Sequence, residues 1–134
     1  MRRALIVSAV LTLLAGCAPT EAQRQQMAEN DARTQTRLQA RLAGYTAGQP
    51  QTCIEPNLTQ NSERFGTTIL YSNTGNLIYR NDTMGGCDFD RDALIVTKSY
   101  SGQLCRGDIV HLVDRNSHMF SGSCTFGSFI PYRK

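Results

Sequence analysis

The chain has 134 residues, with 14 Lys or Arg against 11 Asp or Glu, a formal net charge of +3 and no Trp. That length suffices for one small domain and is too short for two. So slight a basic excess gives no ground for a nucleic-acid partner, which needs a concentrated basic face.

The chain opens with Arg2 and Arg3, an apolar run over residues 4–14, and then Ala15-Gly16-Cys17. The apolar run is about half of the roughly 20 residues that a spanning helix needs, so it reads as the h-region of an export signal. Leu14-Ala15-Gly16-Cys17 resembles the lipobox of bacterial lipoproteins, in which small residues enter a narrow peptidase site and the cysteine thiol accepts lipid. The resemblance implies a signal peptide over residues 1–16 and a mature chain that starts at an acylated (palmitate-bearing) Cys17. Several acyl chains on one residue hold a protein on a bilayer firmly, at about 0.8 kcal/mol for each buried methylene. Ala18, a non-acidic residue after the cysteine, implies sorting to the outer membrane, facing the periplasm. The membrane is then one partner, reached through the lipid on Cys17. An exported address also argues against nucleic acid.

Without the signal, 12 basic residues face 11 acidic ones, so the basic excess belongs largely to the leader. Of five cysteines, Cys17 is assigned to lipid, which leaves Cys53, Cys87, Cys105 and Cys124. An even set in an oxidising compartment reads as two disulfides. Three connectivities are open. The arrangement Cys53–Cys124 with Cys87–Cys105 is preferred because it would tie the start of the core to its end. A four-thiolate zinc site needs paired C-x-x-C knuckles, and the intervals of 33, 17 and 18 residues contain none.

Residues 17–51 form a segment distinct from the rest, a lipidated tether with a helix. Residues 21–43 are rich in Ala, Gln, Arg and Glu, without Gly or Pro, which predicts a helix that stops at Gly44. Met27, Leu38, Leu42 and Tyr45 share one face, but Asp31, Thr34 and Gln35 interrupt it, so docking is expected only through the last two turns. At about 1.5 Å per residue the helix spans some 30 Å as a spacer. Arg33, Arg37 and Arg41 recur at i,i+4 and read as a solvated basic face in preference to a contact with anionic head groups or cell-wall polymer. Residues 46–50 read as a hinge.

From residue 52 to 134 the pattern turns to β. The expected strands are Cys53-Ile54, opening the sheet, then residues 67–72 and 77–80 around the hairpin turn Asn73-Thr74-Gly75-Asn76. Runs at 93–98 and 108–113 follow, then one near 119–125 after the turn Asp114-Arg115-Asn116-Ser117. Five to six short strands with turns between them predict a mainly β fold, an antiparallel meander as a curled sheet or small barrel. Several runs are apolar at both alternating positions, as expected where one face meets the core and the other a helix or a partner. Gly122 and Gly127 fit a bulge or closing bend.

Gly85-Gly86-Cys87, the run Leu104-Cys105-Arg106-Gly107-Asp108 and Cys124-Thr125-Phe126-Gly127-Ser128-Phe129-Ile130-Pro131-Tyr132 together resemble a family of small uncharacterised proteobacterial lipoproteins, over roughly residues 45–134. The family has no assigned activity, so the resemblance implies class and address and no chemistry.

Residue patterns that could carry chemistry are sparse. Asp88, Asp90 and Asp92 alternate like the opening of a calcium loop, but positions six and twelve hold Ala93 and Ser99 where an EF-hand needs Gly and Glu. His111 and His118 lack a third ligand nearby, so no metal site and no cofactor are expected. No G-x-S-x-G, S-x-x-K, H-E-x-x-H or P-loop occurs, and no catalytic residue is assigned. Among the aromatics Tyr71, Tyr79, Tyr100, Phe129 and Tyr132, the first choice for a surface residue is Tyr100 in its Ser-Tyr-Ser-Gly loop. Tyr100 and Asp108 are the candidate binding residues, although Asp108 reads first as a turn residue. The functional expectation is a non-enzymatic, lipid-anchored binding or adaptor module for an envelope protein or cell-wall component. Two alternatives stand beside it. One is an inhibitor of lysozyme-type hydrolases, disfavoured because Ser101-Gly102 leads to Cys105 instead of the Ser-Gly-x-x-Tyr element of such inhibitors. The other is a small hydrolase that uses Asp108 with the Asp88–Asp92 loop.

Overall fold

The computed structural model describes residues 18–55, 57, 61–89 and 92–134. Cys17 and Asp90, and with them the lipid site and the centre of the aspartate loop, lie outside the described residues. The chain divides into two compact units, Met1–Arg33 and Thr34–Lys134.

Helix α1 covers Glu21–Leu42 and crosses that division. Its start is a capping box: the Thr20 hydroxyl accepts from the Gln23 N–H (3.3 Å) while the Gln23 side chain accepts from the Thr20 N–H (2.8 Å). Its end is Gly44, at φ 79°, a left-handed position that glycine occupies without strain. In the first unit Arg24 pairs with Glu21 and Arg33 with Glu29, both on exposed side chains. None of the helices among the described residues is long and apolar enough to cross a membrane.

The second unit is mainly β, as expected, with ten strands in antiparallel sheets among the described residues. They are β1 Thr46–Ala47, β2 Cys53–Ile54, β3 Asn61–Phe65, β4 Thr68–Thr74, β5 Leu77–Asp82, β6 Ala93–Thr97, β7 Leu104–Cys105, β8 Ile109–Asp114, β9 Phe120–Thr125 and β10 Phe129–Arg133. The largest sheet runs β1-β10-β5-β4-β3, a second runs β6-β8-β9, and β2 pairs with β7; among the described residues none closes into a barrel. The expected hairpin joins β4 to β5, with a register shift between Ser72 and Thr74.

Four strands have no counterpart in the sequence reading. The presumed hinge at 46–50 contains β1, recruited by β10, with the Gly48 N–H donating to the Pro131 carbonyl (2.7 Å). Pro131 in β10 turns that carbonyl towards a neighbour only two residues long, so its missing N–H forfeits little pairing. Strand β3 is largely polar and is held by its register on β4. Strand β7 exists as the partner of β2, so Cys53-Ile54 does not open the main sheet.

The five-stranded sheet is covered on both faces, which explains why its strands are apolar at successive positions. Ile69, Tyr71, Tyr79 and Phe129 enter a core shared with Val110, Leu112 and Phe126. Leu70, Ile78 and Phe65 face the other way and meet Leu38 and Leu42 of α1. The helix docks through its last two turns, as its interrupted stripe predicts. The expected basic face is partly consumed in that docking: the Arg37 guanidinium lies 5.6 Å from the Phe65 ring centroid and Arg41 pairs with Glu63 at 2.7 Å.

The disulfide pairing differs from the preferred reading. Cys53 bonds to Cys105, and Cys87 to Cys124, in place of Cys53–Cys124 and Cys87–Cys105. Register is the reason for the first, since Cys53 and Cys105 are direct partners across β2 and β7. Beside the second, Met84 bridges to Thr125 and lays Gly85 against Cys124, which brings the segment carrying Cys87 to β9. Both halves of Cys87–Cys124 are buried in the core, whereas Cys53 and Cys105 are half-buried.

Candidate functional site

The β6-β8-β9 sheet differs from the larger one in what covers it. Val110 and Leu112 of β8 point into the core, and the alternate residues Ile109, His111 and Val113 point away. Val96 stands opposite His111, Leu94 opposite Val113, and Phe120 opposite Val113 on the other side, so these share the outward face. The register slips between Leu112 and Val113, where Ser121 bulges beside Gly122, consistent with the bulge expected near that glycine. His111 and Phe120 meet edge to face with ring centroids 5.8 Å apart.

Large apolar side chains concentrate here. Exposure is 48% for Val96, 52% for Ile109, 68% for Met119, 64% for Phe120 and 84% for Tyr100. Met84, also exposed, bridges to Thr125 at the margin of β9. Among the described residues Met27 on α1 is the one other large exposed apolar side chain, so the clustering is pronounced.

Two depressions flank Ile109. One, of about 230 Å³, is lined by Lys98, Tyr100, Gly107, Asp108, Ile109 and His111. The other, of about 430 Å³, runs past Met84, Gly85, Ser123 and Thr125. Tyr100 and Asp108, singled out from the sequence, therefore border the same groove. Lys98 Nζ lies 5.1 Å from the Tyr100 ring centroid, a cation–π contact that places a positive charge at the rim.

Asp108 is also a turn residue, as the sequence reading expects. Its Oδ2 accepts from the Cys105 N–H (2.8 Å), and its own N–H donates to the Cys105 carbonyl (3.0 Å). Gly107, at φ 91°, allows the chain to reverse there, and its N–H reaches the Phe126 carbonyl (2.9 Å). The Leu-Cys-x-Gly-Asp run is thus a locked turn that sets the floor of the Tyr100 groove.

Asp92 pairs with Arg115 at 3.0 Å, and Asp88 lines a different depression beside Ala93, Leu112 and Gly122. His111 lies on β8, whereas His118 sits at φ 56° in the turn before β9 and donates its N–H to the Asp114 carbonyl (2.9 Å). No cluster of three His, Cys, Asp or Glu side chains suited to a metal occurs among the described residues. Of the other aromatics, Tyr71, Tyr79 and Phe129 are core residues and Tyr132 packs with the helix. Sequence reasoning missed Val96, Ile109, Met119 and Phe120; the signal was present as two-sided apolar strands, but which strands would be covered was not.

Comparison with family models, curated proteins and solved structures finds no match to this chain.

Proposed function

We propose that this chain is an exported protein, anchored in the cell envelope by lipid on Cys17, whose β domain is a non-enzymatic docking module. Its partner is an envelope protein or cell-wall component, and its docking surface is the outward face of β6-β8-β9 with the Tyr100 groove. The observation that carries the reading is the concentration of exposed Val96, Ile109 and Phe120 on one sheet face, with exposed Met119 and Tyr100 in the segments next to it. Single exposed apolar residues are ordinary, but contiguous ones rimmed by polar groups mark interaction sites. Aromatic and methionine enrichment with charge at the rim, here Lys98 and Asp108, is the composition of protein interfaces. Address and anchor come from the lipobox resemblance, which also implies the outer membrane, with the domain on the periplasmic side.

The test uses the tagged full chain at native expression level, captured from detergent-solubilised envelope. Capture of one near-stoichiometric partner, lost in Ile109→Glu and Phe120→Glu but kept in the helix variant Met27→Glu, supports the reading. Capture that ignores the face variants overturns it. For the anchor, radiolabelled palmitate should enter the wild type and not Cys17→Ser; labelling of the variant removes that half of the proposal.

A further inference from the structure

The β6-β8-β9 sheet ends on one side at β6, which among the described residues has a strand neighbour, β8, on one side only. The opposite edge is partly closed, because Met84 bridges to Thr125 of β9. Natural proteins blunt open edges with charge, Pro or bulges, yet Ala93-Leu94-Ile95-Val96-Thr97 contains no charge, Pro or Gly. Charges stand immediately outside it: Asp92 before and Lys98 after, both exposed.

Strand alternation places Leu94 and Val96 on the outward face, while Ala93 and Ile95 turn to the core; just past the strand ends, Asp92 pairs with Arg115 and Lys98 lies beside Ile109 and His111, which continues the outward row. The outward row therefore reads acid, aliphatic, aliphatic, base, a sequence complementary to its own reverse. Laid antiparallel against itself about Ile95, it sets Asp92 opposite Lys98 and Leu94 opposite Val96, each twice over. We propose that β6 pairs in this register with β6 of a second copy of the chain, forming one continuous six-stranded sheet. Opposite charges and aliphatic pairs directly across a strand pair are the stabilising combinations, and like charges there destabilise.

The alternatives are disfavoured by the same side chains. A parallel arrangement in register sets Asp92 on Asp92 and Lys98 on Lys98. An antiparallel slip of two residues sets Asp92 opposite Val96 or Lys98 opposite Leu94. Three existing contacts lie at the pairing residues. The Asp92–Arg115 ion pair and the Lys98–Tyr100 contact are exposed, and such pairs exchange partners at little cost. The Asp114 N–H opposite Ala93 donates to Met119, so the Ala93 carbonyl turns to the free edge, where Arg64 of β3 donates to it; pairing requires that carbonyl to accept from the second copy beside Arg64 or in its place. Because residues of like parity pair, both outward faces lie on the same side and become continuous across the two-fold axis. The pairing stands on the strand itself and does not depend on the lipid anchor or on the docking partner.

Sedimentation equilibrium of the whole chain in density-matched detergent tests it. The expected result is a monomer–dimer equilibrium at micromolar concentration, as befits a contact smaller than the roughly 1,200 Å² of standard interfaces. Asp92→Lys and Lys98→Asp should each weaken the dimer about tenfold, since each turns two opposite-charge pairs into like-charge pairs. The double exchange Asp92→Lys with Lys98→Asp restores the pairs and should recover the wild-type association. A single monomeric species throughout overturns the proposal, as does a dimer indifferent to the single exchanges or one that the double exchange fails to recover.

Discussion

At the scale of single residues, backbone geometry constrains this chain more tightly than its charges do. Gly127 lies where a Cβ would run into the Asp82 carbonyl oxygen. Its N–H donates to Asn81 Oδ1 (3.1 Å) and its carbonyl accepts from Asn81 Nδ2 (2.9 Å), so the bend between β9 and β10 is locked to β5. Gly127→Ala forces that bend apart and should lower stability by about 1–3 kcal/mol in urea unfolding. Burial raises the Tyr71 phenol above its ordinary value of 10.0. The unfolded chain then loses that proton as pH passes about 10, while the native state keeps it. The native state binds more protons, so stability falls with rising pH there. Tyr71→Phe should flatten the decline, measured as unfolding free energy on either side of that pH. At the acid end, the Ser117 N–H, the Ser117 hydroxyl and the Asn116 N–H hold the exposed Asp114 carboxylate below its usual range. That contribution is present above the ordinary carboxylate range and lost as pH falls through the lowered value; Asp114→Asn should remove this acid dependence.

At the scale of elements, the decisive contacts are those that attach one piece to another. Leu38 is fully buried against Leu70 and Ile78, so the last turns of α1 are part of the fold and its first turns are not needed for that contact. Leu38→Ala should cost about 2–5 kcal/mol and speed amide exchange over residues 34–42 more than in the five-stranded sheet. The two disulfides should separate kinetically: a mild reductant reaches half-buried Cys53–Cys105 before core-enclosed Cys87–Cys124. Stepwise alkylation with peptide mapping reads the order, and it also checks the pairing. Strands β4, β5, β6 and β8 were legible because each is a β-branched or aromatic run bounded by turn residues, and β9 because it follows the turn at 114–117. Strands β1, β3, β7 and β10 were not, because polar side chains, Pro131 or a two-residue length leave no local pattern; the neighbouring strand supplies their reason to be extended.

For the molecule as a whole, the same sequence pattern has two outcomes. Residues that alternate apolar on both faces are buried twice in β4 and β5, but in β6 and β8 one set faces solvent. If that face serves docking and not folding, Ile109→Ser and Phe120→Ser should shift stability by no more than about 0.5 kcal/mol while reducing binding of a hydrophobic dye. A large loss of stability would instead make these side chains part of the core.

The sequence by itself determined the β class, the helix and its stop, the central hairpin and the turn chemistry at Asp108 and Asp114. These follow from local conformational preference and short-range hydrogen bonds, which are written in neighbouring residues. It also singled out Tyr100 and Asp108, whose surroundings are polar and turn-rich enough to read locally. Tertiary structure decided which cysteines meet, that Arg37 and Arg41 hold the helix, and which two-sided strands remain uncovered. Pairing and coverage depend on which distant segments become neighbours, and a hydrophobic side chain carries the same local signature whether another layer packs over it or not.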